Sequence, residues 1–248
     1  MSAHTQAETV RVIDERLAGA NVDATVESVR TDDGVRGVSI ESTDASRAAI
    51  ANNLTFQGRV EMVARFPIER DGDTDYRDVT LLTNDDFVQV GSAQPPGASM
   101  PSPYVPVALT DEAARNYSNA MRNFGFTSSE GIANCQTETA ERDPENASGY
   151  CLYTVSDGEV VYAAQMSAGL AQAFEQGDFE KNPEFVITAE NTSEARKLSM
   201  ALRAGALPAP LDFDSPPESP DQNTTGESDA ESTETETAIE RSDAESTE

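Results

Sequence analysis

The sequence predicts an α+β fold of two lobes followed by a disordered acidic C-terminal tail. Three observations carry this. Helical and strand periodicities alternate along residues 6–213. The succession pauses once, across a turn-rich stretch at 71–102. From 214 to 248 apolar residues nearly vanish: there are 12 acids against the single base Arg241, and the string SDAESTE occurs twice. Such a segment cannot bury enough apolar surface to offset its ordering entropy.

Residues 6–19 read as a helix with Val10, Ile13 and Leu17 on one face. ATVESVR and VRGVSIES alternate polar and apolar as two strands, and TDDG joins them as a hairpin turn. Residues 44–56 read as a helix and RVEMVARF as a strand. The order over 6–70 is therefore α-β-β-α-β, a ferredoxin-like βαββαβ unit lacking its first strand. A sheet short of a strand leaves an edge that needs cover.

The stretch 71–102, with DGDTD and QPPGASMPSP, reads as a linker. The second lobe, 103–213, opens with the strand YVPVALT. Thr110 caps a helix whose first turn holds Asp111 and Glu112, where the helix dipole favours acids, and Ala113, Tyr117, Ala120 and Phe124 form its apolar face. YCLYTVS and EVVYAAQM are strands joined by Asp157-Gly158. A helix at 168–176, the strand EFVITAE and a last helix follow. Asn191 caps that helix, Glu194 occupies the capping-box position, and Ala195, Leu198 and Leu202 face inward. Arg203 sits in its final turn, Gly205 supplies a left-handed cap and Pro208 stops it. This lobe reads as a complete ferredoxin-like βαββαβ unit with an extra helix.

The formal charge is −28, from 45 acids and 17 bases, and only Lys181 and Lys197 are lysines. Without the tail's −11, residues 1–213 carry −28 + 11 = −17. A dispersed acidic surface with few lysines fits life in concentrated salt, where the Debye length falls to roughly 3 Å at 1 M. No basic cluster exists to bind nucleic acid. His4 is the one histidine, which leaves no catalytic triad and no partner for a cysteine nucleophile. No Gly-rich phosphate loop appears, and no Trp offers a sugar platform. Asp71, Asp73 and Asp75 alternate as in a calcium loop, but Tyr76 and Leu82 stand where that loop needs Gly and an acid, so the stretch is a plain acidic turn. The expectation is no enzyme, no metal and no cofactor.

No window approaches 18 apolar residues and no signal peptide precedes the first helix, so taken alone the chain reads as cytoplasmic, with no membrane span. Cys135 and Cys151 flank a polar loop. They are either a disulfide, whose closure would contribute roughly 3 kcal/mol, or two reduced thiols. Asn53, Asn116, Asn146, Asn191 and Asn223 each begin N-x-S/T, and Asn146, between the cysteines, is the best candidate for glycosylation.

Four stretches, in order, carry a family resemblance. GRVEMVARFP, YVPVALTDEAARNYSNAM, VSDGEVVYAAQM and ARKLSMALRAGALPAPL resemble the first large extracytoplasmic domain of SecD, a membrane subunit that assists the Sec protein-export channel. The last is the most specific: Leu202, Arg203, Gly205, Ala206, Leu207, Pro208 and Pro210 stand at its motif positions. The cysteine spacing fits an archaeal, salt-adapted member. The family's leading membrane helix, the strand after it and its later membrane bundle are not in this sequence. The resemblance implies a non-catalytic export accessory at the extracytoplasmic face of the cell membrane. It would bind emerging unfolded preprotein or the Sec components SecF and SecY. Tyr153, Val161, Tyr162 and Met166 are the candidate peptide-binding residues. The alternative is a truncated or vestigial SecD fragment acting only as a soluble acidic scaffold.

Overall fold

The computed structural model describes residues 2–211 apart from 31–33, 35, 99, 209 and 210. The acidic tail, most of the TDDG turn and Pro210 lie outside the described residues.

Helix α1 (Ala3–Gly19) starts where Ser2 Oγ accepts the Thr5 N–H, and it buries Thr9, Val12, Ile13, Arg16 and Leu17, a stripe at helical spacing. It packs on a two-stranded antiparallel ribbon, β1 (Thr25–Arg30) and β2 (Arg36–Glu41), and on α2 (Arg47–Leu54). Ile50 and Leu54 of α2 join Val12, Ile13 and Leu17 in a small core, closed by Ala204 and Leu207 from the far end of the chain.

The next strand, β3 (Val60–Arg70), does not join that ribbon. It pairs with β4 (Asp73–Thr83) through an Asp71-Gly72 turn in which both residues have positive φ. Together with β7 (Cys151–Ser156) and β8 (Glu159–Gln165) these strands form a four-stranded sheet of order β4-β3-β7-β8. A second sheet has order β5-β6-β9, from β5 (Phe87–Val90), β6 (Tyr104–Leu109) and β9 (Glu184–Thr188). Helices α3 (Asp111–Asn123), α4 (Thr137–Arg142), α5 (Ala168–Gln176), α6 (Asp178–Lys181) and α7 (Thr192–Ala204) complete the fold.

This corrects the two-lobe reading. Residues 71–102 are not a linker, because they carry β4 and β5. The first lobe ends before β3. The second places its first and last strands side by side, as a ferredoxin-like order requires, but its hairpin β7–β8 lies in the other sheet. The reason is burial. Val60, Met62 and Phe66 of β3 share one apolar cluster with Val105, Val107 and Leu109 of β6 and with Leu198 and Leu202 of α7. The predicted boundary runs through that core, and dividing it would expose both halves to water.

The local signals that set the helices are in place. Thr110 Oγ1 accepts the Ala113 N–H at 3.2 Å, and Asn191 Oδ1 accepts the Glu194 N–H at 3.0 Å. Glu194 does not complete a capping box; its carboxylate meets Lys197 at 2.9 Å. Gly205 has φ 83° and ψ 175°, so it ends α7 in an extended, glycine-only conformation rather than the left-handed helical one.

Candidate functional site

Sheet edges are where one chain can add itself to another, and proteins blunt them. On β5, Arg203 Nε donates to Val90 O at 3.1 Å and Ser199 Oγ to Gly91 O at 2.9 Å, so α7 covers that edge. On β8, Glu141 of α4 accepts the Ala163 N–H at 3.2 Å. The outer strand β4 is lined with Asp73, Asp75, Arg77 and Asp78, all exposed.

The outer edge of β9 has no such cover among the described residues. Its phase follows from two bonds. The Leu109 N–H meets Pro183 O at 3.1 Å and the Ala189 N–H meets Pro103 O at 2.9 Å. Odd-numbered residues of this strand therefore aim their N–H and C=O at β6, and Glu184, Val186 and Thr188 present theirs to the free side. Beside this edge the sheet's outer face forms a shallow groove of about 360 Å³, lined by Gln89, Gly91, Pro106, Ala108, Glu184 and Val186. Val186 is 38% exposed, and Val88, the extra residue of a bulge in β5, is 69% exposed. The middle strand holds a proline because its neighbour is glycine: a Cβ on Gly91 would lie 2.5 Å from Pro106 Cγ.

The four residues expected to bind peptide lie elsewhere and do not form a surface. Tyr153 is buried under the loop between the cysteines, with its hydroxyl donating to Pro144 O at 3.3 Å. Met166 is fully buried in the main core. Val161 and Tyr162 are half-buried on β8. The cause is that β7 is covered on both faces, by the main core on one and by α4 and its loop on the other, so the strand is buried almost throughout.

That loop is well anchored. Cys135 and Cys151 are joined, with Cα atoms 5.0 Å apart. Arg65 of β3 reaches beneath the loop, donating from Nε to Ala147 O and from Nη1 alone to both oxygens of Asp78, at 3.0 and 2.9 Å. Burial pushes the Tyr153 hydroxyl up to about 12; the charge of Arg65 pulls the other way and that of Asp78 adds to the rise. Asn146 is exposed, and its side-chain amide donates to Asp143 at 2.8 Å.

The LRAGALPAPL stretch is a clamp. Leu202 enters the main core and Leu207 the small one, while Ala206 is half-buried and Pro208 exposed. The Leu207 N–H meets Gln57 O at 2.7 Å, and Gln57 Nε2 returns to Leu207 O at 3.2 Å. Arg16, wholly buried in α1, donates to Phe56 O and Gln57 O, each at 2.6 Å, and to Gly205 O at 3.0 Å, and its guanidinium lies 4.5 Å from the Phe56 ring. Burial lowers its pKa to about 10, against an opposing push from Asp157, so it stays charged at neutral pH. Gly58, with φ +78°, makes room: a Cβ there would sit 2.1 Å from Arg16 Nη2.

Known proteins match most of this chain. The protein-export membrane protein SecD of Haloferax volcanii is 32% identical over 212 residues, which are 84% of this chain and 40% of that protein. Over most of its length this chain is SecD-like. SecD of Haloquadratum walsbyi is likewise 32% identical over 210 residues, 84% of this chain and 38% of that protein. The SecD-like chain therefore spans about two fifths of the length of these curated relatives. Both relatives are haloarchaeal, in keeping with the acidic composition. The fold agrees with a structure of SecDF, a membrane component that enhances protein export, at TM-score 0.53 and 17% identity, covering 87% of this chain and 94% of that one. A crystal structure of SecDF in a super-membrane-facing form gives TM-score 0.55 and 17% identity, covering 86% of this chain and 28% of that one. No family model matches the chain. No helix among the described residues is long and apolar enough to cross a membrane.

Sequence reasoning missed the β9 edge and Arg16. EFVITAE reads as a strand, yet nothing local says which side of it stays unpaired. Arg16 had a signal: a charged residue at a buried position of the 9–12–13–16–17 stripe, where arginine persists only if its donors are met.

Proposed function

We propose that this SecD-like region is a non-catalytic accessory of protein export that holds extended, unfolded polypeptide along β9 at the extracytoplasmic face of the membrane. The observation that carries it is the open outer edge of β9 beside an apolar groove. Main-chain bonds to Glu184, Val186 and Thr188 tolerate many sequences, and Pro106, Ala108 and Val186 offer apolar contact to alternate side chains. Emerging preprotein is the occupant, and SecF and SecY are the partners that would deliver and receive it. An N-linked glycan at Asn146 belongs to the same placement.

Fluorescence anisotropy with a labelled peptide of alternating Val and Ser tests this. Val186→Pro removes a donor from the free edge and leaves the ladder to β6 intact. Binding should weaken about tenfold in Val186→Pro and again in Ala108→Asp, whose new carboxylate in the groove must be desolvated. Equal binding by all three proteins would refute the reading and favour a plain acidic scaffold.

A further inference from the structure

A second cleft, of about 500 Å³, lies between the end of α1, α2 and α7. Its chemistry runs against the rest of the chain. One side of α7 gives it Ser193, Arg196, Met200 and Arg203, a stripe at helical spacing. With Lys197 the cleft draws on three of the chain's 17 bases and one acid, Glu15, in a protein of charge −28. Two of these charges are already matched: Glu15 pairs with Arg11 at 2.9 Å and Lys197 with Glu194 at 2.9 Å. Among the described residues no carboxylate pairs with Arg196 or Arg203. Arg203 is held in place by neutral acceptors, Val90 O and Ser92 Oγ, so its position is fixed and its charge is not cancelled. Asn52 and Asn53 line the cleft with Phe56, and Asn53 Nδ2 also donates to Ala49 O at 2.8 Å.

We infer that this cleft binds an acidic peptide segment, with two of its carboxylates on the guanidiniums of Arg196 and Arg203. The spacing of the two arginines is two helical turns, about 10 Å, the reach of side chains a few residues apart on an extended chain. The asparagine amides suit the peptide's main chain, and Met200 and Phe56 its aliphatic stems. A recessed cleft of this size fits side chains, whereas a flat anionic surface would meet the acids that cover the rest of the molecule. Molar salt screens attraction beyond roughly 3 Å. The bidentate fork of arginine works at contact and survives there, where a lysine point charge does not direct its bonds. The inference rests on the polypeptide-holding reading above only for the class of occupant.

The test is fluorescence anisotropy of labelled hexaglutamate and hexaglutamine on the full chain in 2 M KCl. Hexaglutamate should bind and hexaglutamine should not. Arg196→Gln removes an exposed side chain with no partner in the fold, and should weaken hexaglutamate about tenfold, the effect of one charge-assisted pair. Arg203→Lys keeps the charge but loses the fork, and should weaken it severalfold. Equal affinity for the two peptides, or hexaglutamate binding indifferent to Arg196→Gln, overturns the inference. So does displacement by inorganic phosphate at matched ionic strength, or binding of anionic phospholipid vesicles in place of the peptide. If hexaglutamate fails while the Val/Ser peptide still depends on Val186, the cleft is refuted and the β9 reading stands; the opposite pattern spares the cleft alone.

Discussion

Replacing Arg16 by Met keeps the aliphatic stem in the small core and removes the charge. Two main-chain acceptors, Phe56 O and Gly205 O, then lose donors at 2.6 and 3.0 Å, while Gln57 O loses one at 2.6 Å but keeps the Leu207 N–H at 2.7 Å. A buried acceptor left dry costs about 1–3 kcal/mol. Against this, the variant no longer desolvates a guanidinium, whose Nε has no partner in the fold. With two acceptors left dry, the net loss should be about 2–4 kcal/mol, a large part of the roughly 5–15 kcal/mol typical of a domain. Urea unfolding in 2 M KCl would read it as a lower midpoint at unchanged slope. A second variant isolates the contact. Gly58→Ala places a methyl 2.1 Å from Arg16 Nη2, so its cost should shrink in the Arg16→Met background, with a coupling of at least about 1 kcal/mol. What remains there is the strain of alanine at φ +78°. A loss below about 1 kcal/mol in Arg16→Met, or additive effects in the pair, would refute the clamp.

Three other outcomes follow from the same geometry. Reducing the Cys135–Cys151 bond, which closes a loop across a sequence separation of 16, should cost about 3 kcal/mol, read from unfolding midpoints with and without reductant. Burial raises the hydroxyl pKa of Tyr117 and of Tyr153. The folded chain therefore keeps protons that the unfolded chain releases near pH 10, so stability is intact below that pH and falls as pH rises through it. Unfolding midpoints at pH 8, 10 and 11 should show the decline, and Tyr117→Phe with Tyr153→Phe should flatten it. Thr110→Ala and Asn191→Ala each remove a side-chain acceptor from a helix start and should cost about 1 kcal/mol apiece by thermal unfolding.

Elements whose pattern is local were legible. The stripe of α7, the N-caps of α3 and α7 and the Asp157-Gly158 turn stand where periodicity and turn chemistry put them, while the buried face of α3 keeps Ala113 and Tyr117 but turns to Ala114, Ser118 and Met121, leaving Ala120 and Phe124 half-buried. β4 was not, because it is an outer strand with Leu82 as its one buried residue; Asp73, Asp75, Arg77 and Asp78 hide its alternation. β5 is four residues long and bulged, too short to show a period. Strand pairing was the larger loss. β3 follows α2 in sequence but lies beside β7, some ninety residues on, and no local signal encodes such a partner. Among the candidate peptide-binding residues, Tyr153 and Met166 are buried for a related reason: the main core covers one face of β7 and the loop closed by Cys135 and Cys151 the other, a cover no local pattern encodes. On the LRAGALPAPL stretch, the sequence called for a glycine at the end of α7, but Gly205 takes an extended positive-φ conformation and not the left-handed cap, and Leu207 and Arg203 make sense only with Gln57, Val90 and Arg16 in view.

The clamp has a mechanical consequence. A pull on the chain from its C-terminal side meets Leu211, packed against the small core, and then Leu207 and Gly205. The last two are tied sideways to α1 and to the turn before β3 through Gln57 and Arg16. Tension would load these few bonds in parallel before it reached any strand, so the sheets, and with them the edge of β9, would keep their shape under a force that had already begun to strain the end of α7.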